Sequence, residues 1–311
     1  MKKNQWKGIF PALLTPFTNQ DKIDYAMFEK NLDAQMEAGI TGIVLGGSLG
    51  EASTLSGTEK RELLKEAVKM VNKRLPVIST IAEKSTSEAI ACARNAEADG
   101  ADGLMMLPPM QYKADDREIV TYFKTVAAST SLPIMIYNNP VDYKLEVTID
   151  MFEELASIES IHAVKESTRD VTNVTRMRNK FGDRYQILCG VDTLALEEIL
   201  LGADGWLGGL VDAFPAETVA IVRLAQEGRV EEAVKIYRWF MPLLELDIRP
   251  KLVQYIKLAA TRNGISNEYV RAPRLAIEGK ERESVLAIIE EGVKNRPELP
   301  EFSKSGKLEN A

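Results

Sequence analysis

Eight short apolar runs, each followed by a stretch of helical periodicity, restrict the fold of this chain more than any other feature. The runs are GIFPALLTPF, TGIVLGG, LPVISTIA, DGLMMLP, LPIMIYNN, SIHAVKES, YQILCG and DGWLGGL. Each has the length and the apolar, often β-branched content of a buried strand. Between them the period changes. In TEKRELLKEAVKMV, Leu63, Leu64, Ala67, Val68 and Val71 fall on one helical face. Ser56 with Glu59, and Ser85 with Glu88, have capping-box spacing ahead of two such segments. Asp170 is a predicted N-cap, and Pro215 suits a first helical turn. Gly39, Gly100, Gly182 and Gly202 mark predicted helix ends.

Eight alternating units predict an α/β chain folded as a (β/α)8 TIM barrel over residues 1–227. A doubly wound open sheet is the alternative. It usually has fewer strands and a glycine fingerprint after strand one, where this chain has TPFTNQDK. From about residue 228 the strand pattern stops. EEAVKIYRWFMPLLELDIRP, KLVQYIKLAATRNG and ERESVLAIIEEGVKN read as helices, the first with a kink at Pro242. They predict a helical C-terminal extension over 228–296. Residues 297–311 are polar and contain proline, which predicts a mobile tail.

Composition bounds the chemistry. Asp plus Glu is 46 against 39 Lys plus Arg, a net charge of −7. That disfavours nucleic acid and anionic membranes as partners, since both attract basic surfaces. The single histidine, His162, excludes a multi-histidine zinc site and makes a Ser-His-Asp triad depend on that one residue. Cys92 and Cys189 form no CxxC pair and read as reduced thiols. MKKNQWKGIF lacks an apolar core behind its lysines, and no apolar run approaches the ~18 residues of a membrane span. A cytoplasmic protein is expected.

In such barrels the reacting groups lie where strands end. The sixth run ends in a lysine, and period two puts Ile161, Ala163 and Lys165 on one face, with His162 and Val164 on the other. A lysine pointing into the barrel mouth loses hydration and tends towards the neutral amine, which attacks carbonyl or imine carbons. A snorkelling or ion-paired lysine is the plain alternative. The same parity sends His162 outward as a structural residue. Lys84, several residues past its strand, reads as a solvated loop lysine. Tyr137 ends the fifth run on the face of Met135, either as a proton relay beside Lys165 or as an aromatic plug. GGSLGE, residues 46–51, offers a backbone nest for a carboxylate or a plain tight turn, and lacks P-loop spacing. Tyr112 lies in a loop whose exposure the sequence does not fix. Gly208 and Gly209 suit either a ligand's approach or packing.

Taken together, GGSLGE after strand two, YNNP after strand five and a lysine ending strand six resemble the dihydrodipicolinate synthase and N-acetylneuraminate lyase family. The order and spacing cover essentially the whole chain. The resemblance implies that Lys165 forms a Schiff base and that Tyr137 relays protons. It implies that Gly47, Ser48 and Leu49 bind the carboxylate of a 2-oxo acid or cyclic imine. The family loop Gly-Thr-Thr-Gly-Glu reads Gly47, Ser48, Leu49, Gly50, Glu51 here, so Leu49 breaks the family's tyrosine-threonine-tyrosine relay. Tyr112 is the implied counterpart of a tyrosine shared across subunits. Asp142 stands where the synthase places an arginine for its aldehyde substrate. Asn139, Asp142, Gly190 and Leu207 are further candidates for the pocket or a subunit contact. Both departures argue against the lysine-biosynthesis enzyme. WKGIFPA, PPMQYK, YNNPVDYK and FMPLLELDIRP resemble instead the Δ1-pyrroline-4-hydroxy-2-carboxylate deaminase branch. That implies dehydration and deamination to 2,5-dioxopentanoate with no cofactor and no metal, in a homotetramer built as a dimer of dimers. A pyruvate-dependent aldolase or synthase of the same family is the alternative. A non-catalytic sensor barrel is another, against which Lys165 and Tyr137 argue.

Overall fold

The computed structural model describes residues 6–302. Met1–Gln5 of the opening stretch and residues 303–311 of the expected tail lie outside the described residues. The elements alternate as the sequence predicts. They are β1 (Gly8–Pro11), α1 (Tyr25–Ala38), β2 (Ile43–Leu45), α2 (Gly57–Val71), β3 (Val77–Ile81), α3 (Thr86–Ala98), β4 (Gly103–Met106) and α4 (Asp116–Ala127). Then come β5 (Ile134–Asn138), α5 (Pro140–Tyr143), α6 (Ile149–Leu155), β6 (Ile161–Glu166), α7 (Thr172–Phe181), β7 (Gln186–Cys189), α8 (Ala195–Leu200), β8 (Gly205–Gly208) and α9 (Pro215–Gln226). Three more helices follow, α10 (Val230–Leu244), α11 (Leu252–Arg262) and α12 (Gly279–Lys294).

The eight strands form one parallel sheet in the order β1-β8-β7-β6-β5-β4-β3-β2. A parallel bridge between Ala12 and Val44 joins β1 to β2 and brings the two ends of the sheet together. The fold is therefore a (β/α)8 TIM barrel with C-terminal helices. Its strands are buried almost throughout, because helices cover the outer face and side chains fill the inner one. Trp6 fills the end where strands begin. Its backbone N–H donates to the Gln186 side-chain oxygen at the start of β7, and its ring lies 4.8 Å from that of His162 at the start of β6. The β5–β6 register passes from Ile134–Ile161 to Met135–Ala163 and so skips His162. His162 packs there against Trp6, at the end of β6 remote from Lys165.

The predicted helix signals hold with small differences. Ser56 and Glu59 form a full capping box. Ser85 accepts from the Glu88 N–H, without the return bond to its own. Asp170 stands one residue ahead of the cap position, Val171, and accepts from the Thr172 N–H at 3.0 Å. Gly39 and Gly182 are C-caps, while Gly100 and Gly202 follow theirs with φ of +94° and +106°. Pro215 opens α9, and α10 runs through Pro242 to stop two residues later. The four-residue α5 is an addition to the expected eight helices. Asn139 caps it by accepting from the Asp142 N–H. Among the helices after the barrel, α10 packs on α9 and α12, and α11 packs on α12. No helix among the described residues is long and apolar enough to cross a membrane.

Candidate active site

Strands β5 and β6 set the centre of the site. Tyr137 and Lys165 are direct partners in their ladder, near the C-terminal ends of both strands. Lys165 is only 7% exposed, and its Nζ lies 4.3 Å from the centroid of the Tyr137 ring. Both line one narrow cleft of about 80 Å³. Gly47, Ser48, Leu49, Asn139, Asp142, Gly190 and Leu207 line the same cleft, so nearly all the sequence-predicted residues meet there. Tyr112 does not. Its ring is 57% exposed and borders a separate surface recess with Lys84, Arg117 and Glu118. Lys84 is an exposed loop residue away from the cleft.

Gly190 is required by close approach. A Cβ there would stand 2.7 Å from both Cγ and Cε of Lys165, and closer still to Ser167 Oγ. The lysine stem therefore crosses the space that a side chain would fill. The 46–51 loop turns sharply, with φ of +67° at Gly46 and +55° at Glu51. Its end is anchored in the interior. Glu51 Oε1 pairs with Lys257 Nζ at 2.5 Å, and both side chains are fully buried. Lys257 Nζ also donates to the carbonyls of Thr15 and Tyr269.

Asn139 ties Tyr137 to Asp142. Its Nδ2 donates to the Tyr137 hydroxyl at 3.0 Å and to Asp142 Oδ2 at 2.7 Å. Arg169, held at φ +62° in the β6–α7 loop, faces Asp142 at 3.9 Å. The Ser48 and Tyr143 hydroxyls are hydrogen-bonded, and the Tyr143 ring meets that of Tyr137 edge-on at 5.6 Å. Glu166, buried beside Lys165 in sequence, accepts from the Thr168 N–H and from Asn173, which fixes the loop carrying Arg169.

Burial governs the protonation of the centre. It pushes Lys165 below its ordinary value, while Asp247, Tyr143, Asp192 and Cys189 oppose that shift. Burial raises the Tyr137 phenol to about 12, partly offset by the Asn139 hydrogen bond. Burial also raises Asp247 well above the carboxylate range, with Asp192 adding to it and Lys165 offsetting it. A poised amine, a phenol and a carboxylate thus share one cleft. Sequence reasoning missed Tyr143, Ser167, Arg169 and Asp247. Three of them sit in or beside the YNNPVDYK, KES and LELDIRP stretches already singled out, but parity assigns direction only within strands.

A family model for the dihydrodipicolinate synthetase family matches residues 5–292. The chain belongs to that family. The 4-hydroxy-tetrahydrodipicolinate synthase of Persephonella marina is 32% identical over 289 residues, covering 92% of this chain and 98% of the relative. The synthase of Leptospira biflexa is 31% identical over 293 residues, covering 93% and 99%. The solved structure of the synthase from the methanotroph Methylacidiphilum fumariolicum superposes with a TM-score of 0.89 at 29% identity, over 93% of this chain and 96% of that one. Family membership makes the chain a dihydrodipicolinate synthase-like lyase.

Proposed function

We propose that this lyase works through a Schiff base on Lys165 and that it dehydrates and deaminates Δ1-pyrroline-4-hydroxy-2-carboxylate to 2,5-dioxopentanoate. The observation that carries the reading is the wall of the cleft at the start of α5. Asp142 stands there, with Asn139 on one side and the charge of Arg169 offset against it. Such a wall suits a hydroxyl and disfavours a second free carboxylate. Leu49, only 4% exposed, supplies no hydroxyl to the relay of the synthases.

In this reading the substrate carboxylate sits on the backbone of Gly47–Leu49, helped by the Ser48 hydroxyl. Neutral Lys165 attacks C2 and displaces the ring nitrogen, which opens the ring. The iminium acidifies C3, Tyr137 relays the proton, and the enamine expels the C4 hydroxyl as water. Tautomerisation places an imine at C5, which hydrolyses to an aldehyde and ammonia. Hydrolysis at Lys165 releases the product. The balance is one water consumed and one ammonia formed.

The test is an assay with freshly made Δ1-pyrroline-4-hydroxy-2-carboxylate. A coupled dehydrogenase reads the semialdehyde, and ammonia is measured in parallel. Equal yields of the two support the deaminase. The names of the relatives and the presence of Arg169 favour a second reading, a synthase or pyruvate-dependent aldolase of the same family. It predicts no ammonia, and consumption or release of pyruvate instead.

A further inference from the structure

We propose that Asp247 is a further catalytic residue, whose carboxylate carries a proton between Lys165 Nζ and the group that leaves the substrate carbon. The inference rests on the Schiff-base reading of Lys165, and not on which substrate is used.

Asp247 follows α10 and belongs to no barrel strand, yet it reaches the cleft with Lys165 and Tyr137. Gly209 makes room for it. A Cβ on Gly209 would stand 2.6 Å from Asp247 Oδ1. Asp192 is held by the Trp206 indole and the Gly209 and Leu210 N–H groups. Of the charges acting on Lys165, that of Asp247 is the strongest.

The chemistry needs such a group. When the Lys165 lone pair bonds to C2 of the N1-protonated ring, the C2=N1 pair moves to N1. Nζ then carries two protons and the positive charge, while N1 is a neutral amine and a poor leaving group. Asp247, held in its acid form by burial, gives its proton to N1, and the carboxylate so formed takes one from Nζ. The C2–N1 bond breaks with its pair on nitrogen, and the Nζ lone pair closes the iminium. On product release the same transfers run in reverse, from attacking water to Nζ. Tyr137 is less well placed for this step, because its hydroxyl oxygen already accepts from Asn139 Nδ2.

Pyruvate with borohydride quenching at timed intervals tests the relay, the reduced Lys165 adduct being read by intact-protein mass. Asp247→Asn should form the adduct at least 10²-fold more slowly than the wild type, the low end of general acid–base catalysis. Asp247→Glu should recover part of the rate, and all three proteins should melt alike. Adduct formation at the wild-type rate in Asp247→Asn overturns the relay. Should Asn disturb folding, Asp247→Ala with added acetate decides. A rate rising with acetate supports the relay, and a flat one overturns it. A wild-type chain that traps nothing on Lys165 overturns the Schiff-base reading and the relay together. Ammonia release plays no part in this test, so failure of the deaminase reading alone leaves the relay standing.

Discussion

Lys165 and Tyr137 face one another because β5 and β6 pair in register at those two positions, so the orientation of each is a consequence of strand geometry. That much is legible from period two. The protonation of the pair is not, because it depends on burial and on carboxylates from distant elements. Lys165→Ala should abolish turnover and borohydride trapping while the melting curve is preserved; trapping on another lysine such as Lys84 would refute the assignment. Tyr137→Phe should lower kcat by about 10²–10⁴-fold with little change in KM. Gly190→Ala should push the Lys165 stem aside by its contacts at 2.7 Å. Displacement of that order costs roughly 10²-fold in rate, seen as slower adduct formation in a folded protein. The pH profile has a definite sign. Burial lowers Lys165, so the neutral amine is populated below the ordinary lysine value of about 10.4, and kcat/KM should rise with pH on a limb below it. A limb near 10.4 would place the amine in solvent instead.

At the scale of elements, the strands were readable because a strand buried on both faces must be a short apolar run. Most helix ends were readable because caps are local chemistry, as Ser56, Gly39 and Gly182 illustrate. The one-turn α5 carries too few residues to show a period. The joint between loop and extension was hidden for another reason. Glu51 and Lys257 lie 206 positions apart, and nothing local in either segment announces the other. GGSLGE reads as a carboxylate nest or a tight turn, and its last residue serves as the anchor that ties the loop to α11. Lys257→Met leaves the Glu51 carboxylate buried with its main counter-charge removed. Loss of one partner from a buried pair costs roughly 3–5 kcal/mol, measurable as a lower urea midpoint at unchanged slope. The Glu51→Leu, Lys257→Met double variant should recover most of that stability, because two apolar side chains need no pairing. KM should stay raised in both variants if the anchor also sets the loop that receives the carboxylate. A single variant as stable as the wild type would show that the pair is dispensable.

For the molecule as a whole, the barrel explains why residues from four strands, from the loops after others and from the turn after α10 meet at one end, while Trp6 fills the other. It leaves Tyr112 without a place in the chain's own cleft. The ring is more than half exposed beside Glu118, whose carboxylate raises the phenol. An exposed tyrosine on a loop following β4 suits a contact between subunits, since its ring adds apolar area at little entropic cost while its hydroxyl keeps a polar partner. We propose that the active assembly is a dimer of dimers in which this face meets a neighbour. Sedimentation equilibrium should then give a species four times the 34.6 kDa chain. Tyr112→Ala should lower both the assembly state and kcat, whereas Tyr112→Phe should keep the assembly and lower kcat only if the hydroxyl enters the neighbour's cleft. Two inactive variants decide between sharing and mere packing. Tyr112→Ala mixed with Lys165→Ala should regain activity if hybrid cleft sites form, because each chain supplies what the other lacks. No recovery in a mixture shown to exchange subunits would confine Tyr112 to packing, and a fully active monomer would remove the assembly from the mechanism altogether.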